Sequence, residues 1–254
     1  MKRAVLILVF LSLFMEGFSQ IVRKKIPDKL VVFTFDDATA SQFAFVAPEL
    51  KKYDFHATFF VCEFPPNFSD STKYMNWRQI KELDRMGFEV ANHSQSHPAM
   101  SKLTEEQMKF QIKYIERKCD SMKIPLPVSF AYPGYNLNKT LLNILEQKGY
   151  RFGRAGGNKA YDPVTDHPLL IPSWAMVGSN RDQIYEAFNN AKDGKIVVIT
   201  IHGVPDVEHP WVTTPPELFS EYLRYLSENH YKVLALRDLN KYVRYRRAMK
   251  RRDL

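Results

Sequence analysis

Short apolar runs rich in Val, Ile and Phe recur along this chain, and stretches with helical spacing separate them. The runs cover residues 31–35, 57–61, 88–91, 128–131, 150–154, 196–201 and 232–236. Their length and β-branched content read as buried strands. Helical patterns fill the gaps, one through Phe45, Val46, Leu50 and Tyr53, then residues 76–86, 104–119, 138–148, 181–192 and 217–229. Thr104 with Gln107 is a capping-box signature, and Gly87 and Gly149 stand where helices end. Residues 158–180 read as a Pro-rich connection. About seven alternations of strand and helix, with no repeat and no low-complexity linker, predict an α/β fold around a parallel sheet. A single barrel-sized domain is the economical closure for 254 residues.

The first run ends in two adjacent carboxylates, Asp36 and Asp37. Folds with parallel strands place their chemistry at the C-terminal strand ends. Adjacent residues on a strand start in opposite directions, which suits the pair to different tasks around one point. A base beside a metal ligand is one such division, although Asp-Asp alone is more often an acidic turn. The third run leads directly into Asn92-His-Ser-Gln-Ser-His97-Pro98, which brings His93 and His97 to the same rim. Two imidazoles and one carboxylate, with positions left for water, are the donor set of a catalytic divalent-metal site. Zinc is the first expectation, with cobalt or nickel as alternatives. His202 ends another run at that rim and is a candidate proton donor.

The formal net charge of +8 is concentrated at one end. In residues 240–254, seven Lys and Arg face the single Asp253. A basic helix over 237–254 is expected there, either a solvated helix end or a weak contact for an anionic surface. No basic patch interleaved with aromatics points to nucleic acid. Lys2 and Arg3, the apolar run 4–14 and Gly17-Phe-Ser19 read as a signal peptide over residues 1–19, which implies export to the periplasm or beyond. That apolar run is too short for a membrane span, and nothing later resembles one. Cys62 and Cys119 fall at opposite ends of the predicted layer and are expected as free, buried thiols.

The residues Thr34-Phe-Asp-Asp37, His93-Ser-Gln-Ser-His97 and Ile201-His202, in this order and at these strand ends, resemble the polysaccharide deacetylase family, also called carbohydrate esterase family 4 or the NodB-homology domain. The resemblance covers about Leu30 to Tyr242. It implies a distorted (β/α)7-type barrel in one domain, here residues 20–254. It also implies a hydrolase that removes N-acetyl or O-acetyl groups from a polysaccharide. On that resemblance Asp36 is the general base, Asp37, His93 and His97 hold the metal, and His202 is the general acid.

Two motifs depart from the family pattern. The third usually reads R-x-P-[FY]-G, whereas this chain has Ala131-Tyr-Pro-Gly-Tyr135. The Arg that pairs with the catalytic Asp is therefore missing, and Arg154, ending the next run, is the candidate replacement. Gly134 takes the place whose backbone N–H serves the oxyanion. The fourth motif is reduced to Ser173-Trp174. Tyr135, Trp174 and Trp211 are candidate sugar-stacking residues, with core packing as the alternative for each. A glycan-binding barrel that keeps only the metal site, or a small-amide hydrolase on the same fold, are the competing readings. Neither the sugar nor the oligomeric state is legible.

Overall fold

The computed structural model describes residues 21–250. The proposed signal peptide lies outside them. Eight strands form one sheet: β1 (Leu30–Phe35), β2 (Ala57–Val61), β3 (Glu89–Asn92), β4 (Ser129–Ala131), β5 (Phe152–Arg154), β6 (Trp174–Ala175), β7 (Val197–Ile201) and β8 (Lys232–Leu234). All their pairings are parallel, in the order β5-β4-β3-β2-β1-β7-β6. β8 pairs with the first half of β1, beside the place where β2 takes over the second half.

Every residue of β1 is buried, because the strand is covered on both faces. Val31, Phe33 and Phe35 pack outward into a core shared with the surrounding helices, including Ile184, Phe219, Leu223 and Leu226. Leu30 and Val32 point the other way, into a cluster with Phe60, Ala91, Phe152 and Val198. That inner cluster is completed by Ile21 and Ile26 from the lead-in and by Leu236, Leu239, Val243 and Ala248 from the end of the chain. Helix starts follow the sequence closely, with capping boxes at Asn76 and Thr104. Cys62 and Cys119 are both free and buried.

Two expectations need correction. The connection over 158–180 contains sheet pairing. Ile171 bridges Arg154 in parallel, with its N–H 2.7 Å from Gly153 O, and three residues later Trp174 pairs with Ile199 of β7. One short segment thus spans from the β5 edge to the β7 side and draws the sheet into a curled barrel. Gly153 permits the approach, since a Cβ there would sit 2.4 Å from Leu169 O. A two-residue strand shows no alternation to read.

The described part of the basic helix expected over 237–254 is instead a 3-10 turn at Leu236–Lys241 and a short helix at Tyr245–Lys250. Between them Val243 forms an antiparallel bridge with Val22, and Arg244 N donates to Ile21 O at 2.8 Å. Pairing with the lead-in and burial of Val243 prevail over helix continuation.

Candidate active site

Strand parity carries the inward face of the sheet up to the rim. On β1 the inward residues Leu30 and Val32 are followed in phase by Thr34 and Asp36. The same phase runs from Phe60 to Cys62, Ala91 to His93, Phe152 to Arg154 and Val198 to His202. Register aligns these positions laterally: Phe35 pairs with Ile201, and Asp36 N donates to Ile201 O at 2.8 Å. Ala131 of β4 stands opposite Arg154 of β5.

Arg154 is 1% exposed, and its guanidinium donates to Asp36 Oδ2. The same group lies 5.5 Å from the ring centres of both Phe60 and Tyr135. Two aromatic faces and one carboxylate therefore compensate a cation that burial would otherwise penalise.

Asp37 leaves the strand in the left-handed region, at φ +71, and Ala38 follows at +55. This sharp turn returns the second carboxylate to the same point as the first. Asp37 Oδ1 lies 3.4 Å from His93 Nε2 and 3.7 Å from His97 Nε2, and Oδ2 lies 3.8 Å from His202 Nε2. Non-glycine residues held at positive φ are strained, and such strain concentrates where function requires it. His97 itself has φ +53.

Ligand atoms of Asp37, His93 and His97 all lie within 4.8 Å of one another. His93 Nδ1 is 2.9 Å from Ala131 O, which directs Nε2 into the cluster. That Nε2 is buried without a hydrogen-bond partner, which suits it to coordinate a cation. Burial would raise the Asp37 carboxyl, but His93 beside it and the charges of His202 and His97 reverse this and hold it well below the usual range. Burial and the neighbouring His93 push His97 down to about 4, so its ring is neutral and able to ligate. Burial also disfavours the His93 imidazolium, yet Asp36 and Asp37 outweigh it and hold that pKa above the ordinary value. Positive charge is favoured at this point, and a divalent cation fits the donor set.

A cavity of about 290 Å³ opens over the cluster and is lined by Asp36, Asp37, His97, Arg154 and His202. Gly134 and Tyr135 form part of its wall, as expected, and Gly134 has φ +55. Tyr135 and Trp211 are 42% and 72% exposed at this cavity, so both are available to a ligand. Trp174 is not: it is 6% exposed, belongs to the core and borders a different cavity. Its expected place among the substrate-facing aromatics is corrected, because β6 pairing turns its ring into the packing. The preceding Ser173 hydroxyl is 2.6 Å from Ala155 O and 2.8 Å from Thr200 Oγ1.

Three participants were not legible as site residues. Gln42, fully buried in a π-helical turn at Gln42–Val46, donates from Nε2 to Asp36 O and, at 3.2 Å, to His202 O. It ties together the two strand ends that carry these residues, and such turns recur at functional sites. His209 and Phe64 form a ring pair, with centres 4.9 Å apart, on the cavity wall. The buried Asp206 organises the His209 loop, accepting at Oδ1 from the N–H groups of Glu208 and His209. His209-Pro-Trp211, within the long loop that follows the strand end at Ile201, is the signal the sequence offers there.

A model of the family described as polysaccharide deacetylase matches residues 23–153. The bifunctional xylanase/deacetylase of Pseudobutyrivibrio xylanivorans is 28% identical over 176 residues, 67% of this chain and 25% of that protein. The curated relatives are matched over less than half of their own length. Among solved structures, the Xyl-CE4 domain of a multidomain xylanase from the hindgut metagenome of Trinervitermes trinervoides superposes with a TM-score of 0.59 at 19% identity, covering 84% of this chain and 90% of that one. The BA3943 CE4 family pseudoenzyme from Bacillus anthracis gives 0.58 at 20% identity, over 84% and 66%. At these identities the two structures speak for the fold. With the family matched over more than half of the sequence and its histidines and aspartates converging on one cavity, this chain belongs to the polysaccharide deacetylase family.

Proposed function

We propose that the protein is an exported, metal-dependent hydrolase that removes acetyl groups from a polysaccharide. The observation that carries this reading is the convergence of Asp37, His93 and His97 on one point beside the Asp36–Arg154 pair and His202. A divalent cation held by Asp37, His93 and His97, zinc by the donor set, would supply Lewis acidity toward water and the acetyl carbonyl.

The chain's own residues supply the rest. Asp36, oriented by Arg154, accepts the proton of the attacking water. The Gly134 N–H stabilises the oxyanion as negative charge develops on the acetyl oxygen. His202 donates a proton to the departing amine or alcohol as the bond to the acetyl carbon breaks. An amine is the poorer leaving group, so amide substrates depend most on His202. Tyr135 and Trp211 offer exposed ring faces for the sugar.

Retention of Arg154 on Asp36 favours the enzyme over a glycan-binding barrel, since binding alone requires no supported base. Metal content measured alongside acetate release from a panel of N- and O-acetylated glycans tests the reading. Metal-loaded protein that releases acetate from none of them would overturn it. Among the described residues no helix is long and apolar enough to cross a membrane.

A further inference from the structure

The end of β5 away from the catalytic cavity carries a second charged feature. Arg151 leads into that strand and Arg154 ends it in the cavity. Arg23, Arg151, Arg244, Arg246 and Arg247 line one open cleft of about 390 Å³, together with Asn240 and Tyr245. They come from three separate parts of the chain, and the fold holds those parts together. Arg23 N donates to Tyr242 O at 2.6 Å, and Arg244 N to Ile21 O at 2.8 Å. Arg151 and Arg246 both lie against the Tyr245 ring, 5.7 and 5.9 Å from its centre.

Among the described residues, no carboxylate comes within 4.0 Å of Arg23, Arg151, Arg244 or Arg246. Elsewhere Arg85, Arg154 and Arg181 each have an acidic partner. The adjoining cavity, which shares Arg151 and Asn240, balances Arg237 and Lys241 with Asp84, Glu89 and Asp238. Four guanidinium groups without an acidic partner are therefore gathered in one concavity. Like charges gathered in one concavity repel one another, and a bound anion relieves that repulsion. Planar guanidinium forks match phosphate oxygens two at a time.

We infer that this cleft is a binding site for phosphate groups, borne either by a phospholipid surface or by a soluble phosphate compound. Occupying it would leave the catalytic cavity, at the other end of β5, free to face its substrate. The site is independent of the hydrolase reading.

The test uses the full-length protein, inorganic pyrophosphate, and vesicles of phosphatidylcholine with or without phosphatidylglycerol. Pyrophosphate binding is followed by calorimetry, and vesicle binding by co-sedimentation at low and high salt. A variant carrying Arg23→Gln, Arg151→Gln and Arg246→Gln should lose about tenfold or more in affinity, given what surface cations contribute at a phosphate-rich boundary. A control with the exposed cations changed, Lys102→Gln, Lys113→Gln and Lys192→Gln, removes the same charge elsewhere and should change affinity less than about twofold. Arg151→Lys keeps the charge and loses the fork, so an intermediate loss is expected. Binding of phosphatidylglycerol vesicles but not pyrophosphate would assign the phosphate to lipid, and the reverse to a soluble compound. Equal loss in the lysine control, or no binding of either probe by the wild-type protein, overturns the site. Unchanged thermal melting shows that the triple variant is folded; should it not fold, Arg151→Lys alone decides by the same comparison.

Discussion

Arg154 stands opposite Ala131 in the parallel register of β4 and β5, and its guanidinium donates to Asp36. The small side chain and the large one are neighbours at one level of the barrel. Family members carry their Arg at the position of Ala131, so here the cation has moved one strand sideways without leaving the carboxylate.

This relationship gives the first prediction. Arg154→Met should lower turnover by roughly ten- to a hundredfold, the scale of a positioned base losing its support. Ala131→Arg alone should be destabilising through overpacking, while Ala131→Arg with Arg154→Ala should recover part of the activity. Turnover of the three variants, at equal metal content, checks this. An Arg154→Met enzyme with an unaltered rate would remove the compensation and leave the proposed hydrolase standing.

Metal retention separates the ligands from the base. His93→Ala or His97→Ala should lose the cation on challenge with a chelator, measured by elemental analysis. Asp36→Asn should keep its metal and be nearly inactive. Full occupancy in His93→Ala would refute the ligand assignment.

Gln42 should act by position. Replacing it with Met leaves the Asp36 and His202 carbonyls without their shared donor, at a cost of about 1–3 kcal/mol in stability. Turnover should fall about tenfold with little change in KM, as the base and acid lose their common tether. Thermal melting and steady-state kinetics distinguish this from an inert buried amide, which would affect melting only.

A pH effect on stability follows from Glu89, at the other end of β3. Burial raises its pKa despite hydrogen bonds from Ser129, Thr58 and the Arg237 N–H. The folded protein then holds a proton that the unfolded chain releases above the ordinary glutamate value. Stability from this group is present below that value and declines as pH rises through the raised pKa. Glu89→Gln, with its amide placed to donate to Ser129 Oγ, should flatten the dependence in chemical denaturation at several pH values. A variant with the wild-type slope would show that another group is responsible.

Export predicts that purified native protein begins at or near Gln20. N-terminal sequencing of mature protein that retains Met1 would contradict it.

The strands carrying Asp36, His93 and His202 were legible because long buried runs end abruptly in polar residues. Arg154 was legible as a replacement only after the gap at Ala131 had been noticed. Gln42 left no comparable trace, since an amide near the start of a helical stretch looks like any solvated residue until both carbonyls it meets are known. Trp174 was misplaced for a related reason: a single indole has no period, and only pairing with Ile199 decides which way it faces. The closing contact at Ile171 and the break at Val243 depend on partners far away in sequence, Arg154 and Val22.

The inner face of the barrel is stoppered by Leu236, Leu239, Val243 and Ala248. These come late in the described chain, and one of the partners they meet, Ile21, is its first residue. Strands β1 to β7 therefore surround an interior that only these two distant segments close. The interior is thus sealed by a contact between the two ends of the described chain, and a chain cut short before residue 236 would leave β1 to β7 around an open, wettable core.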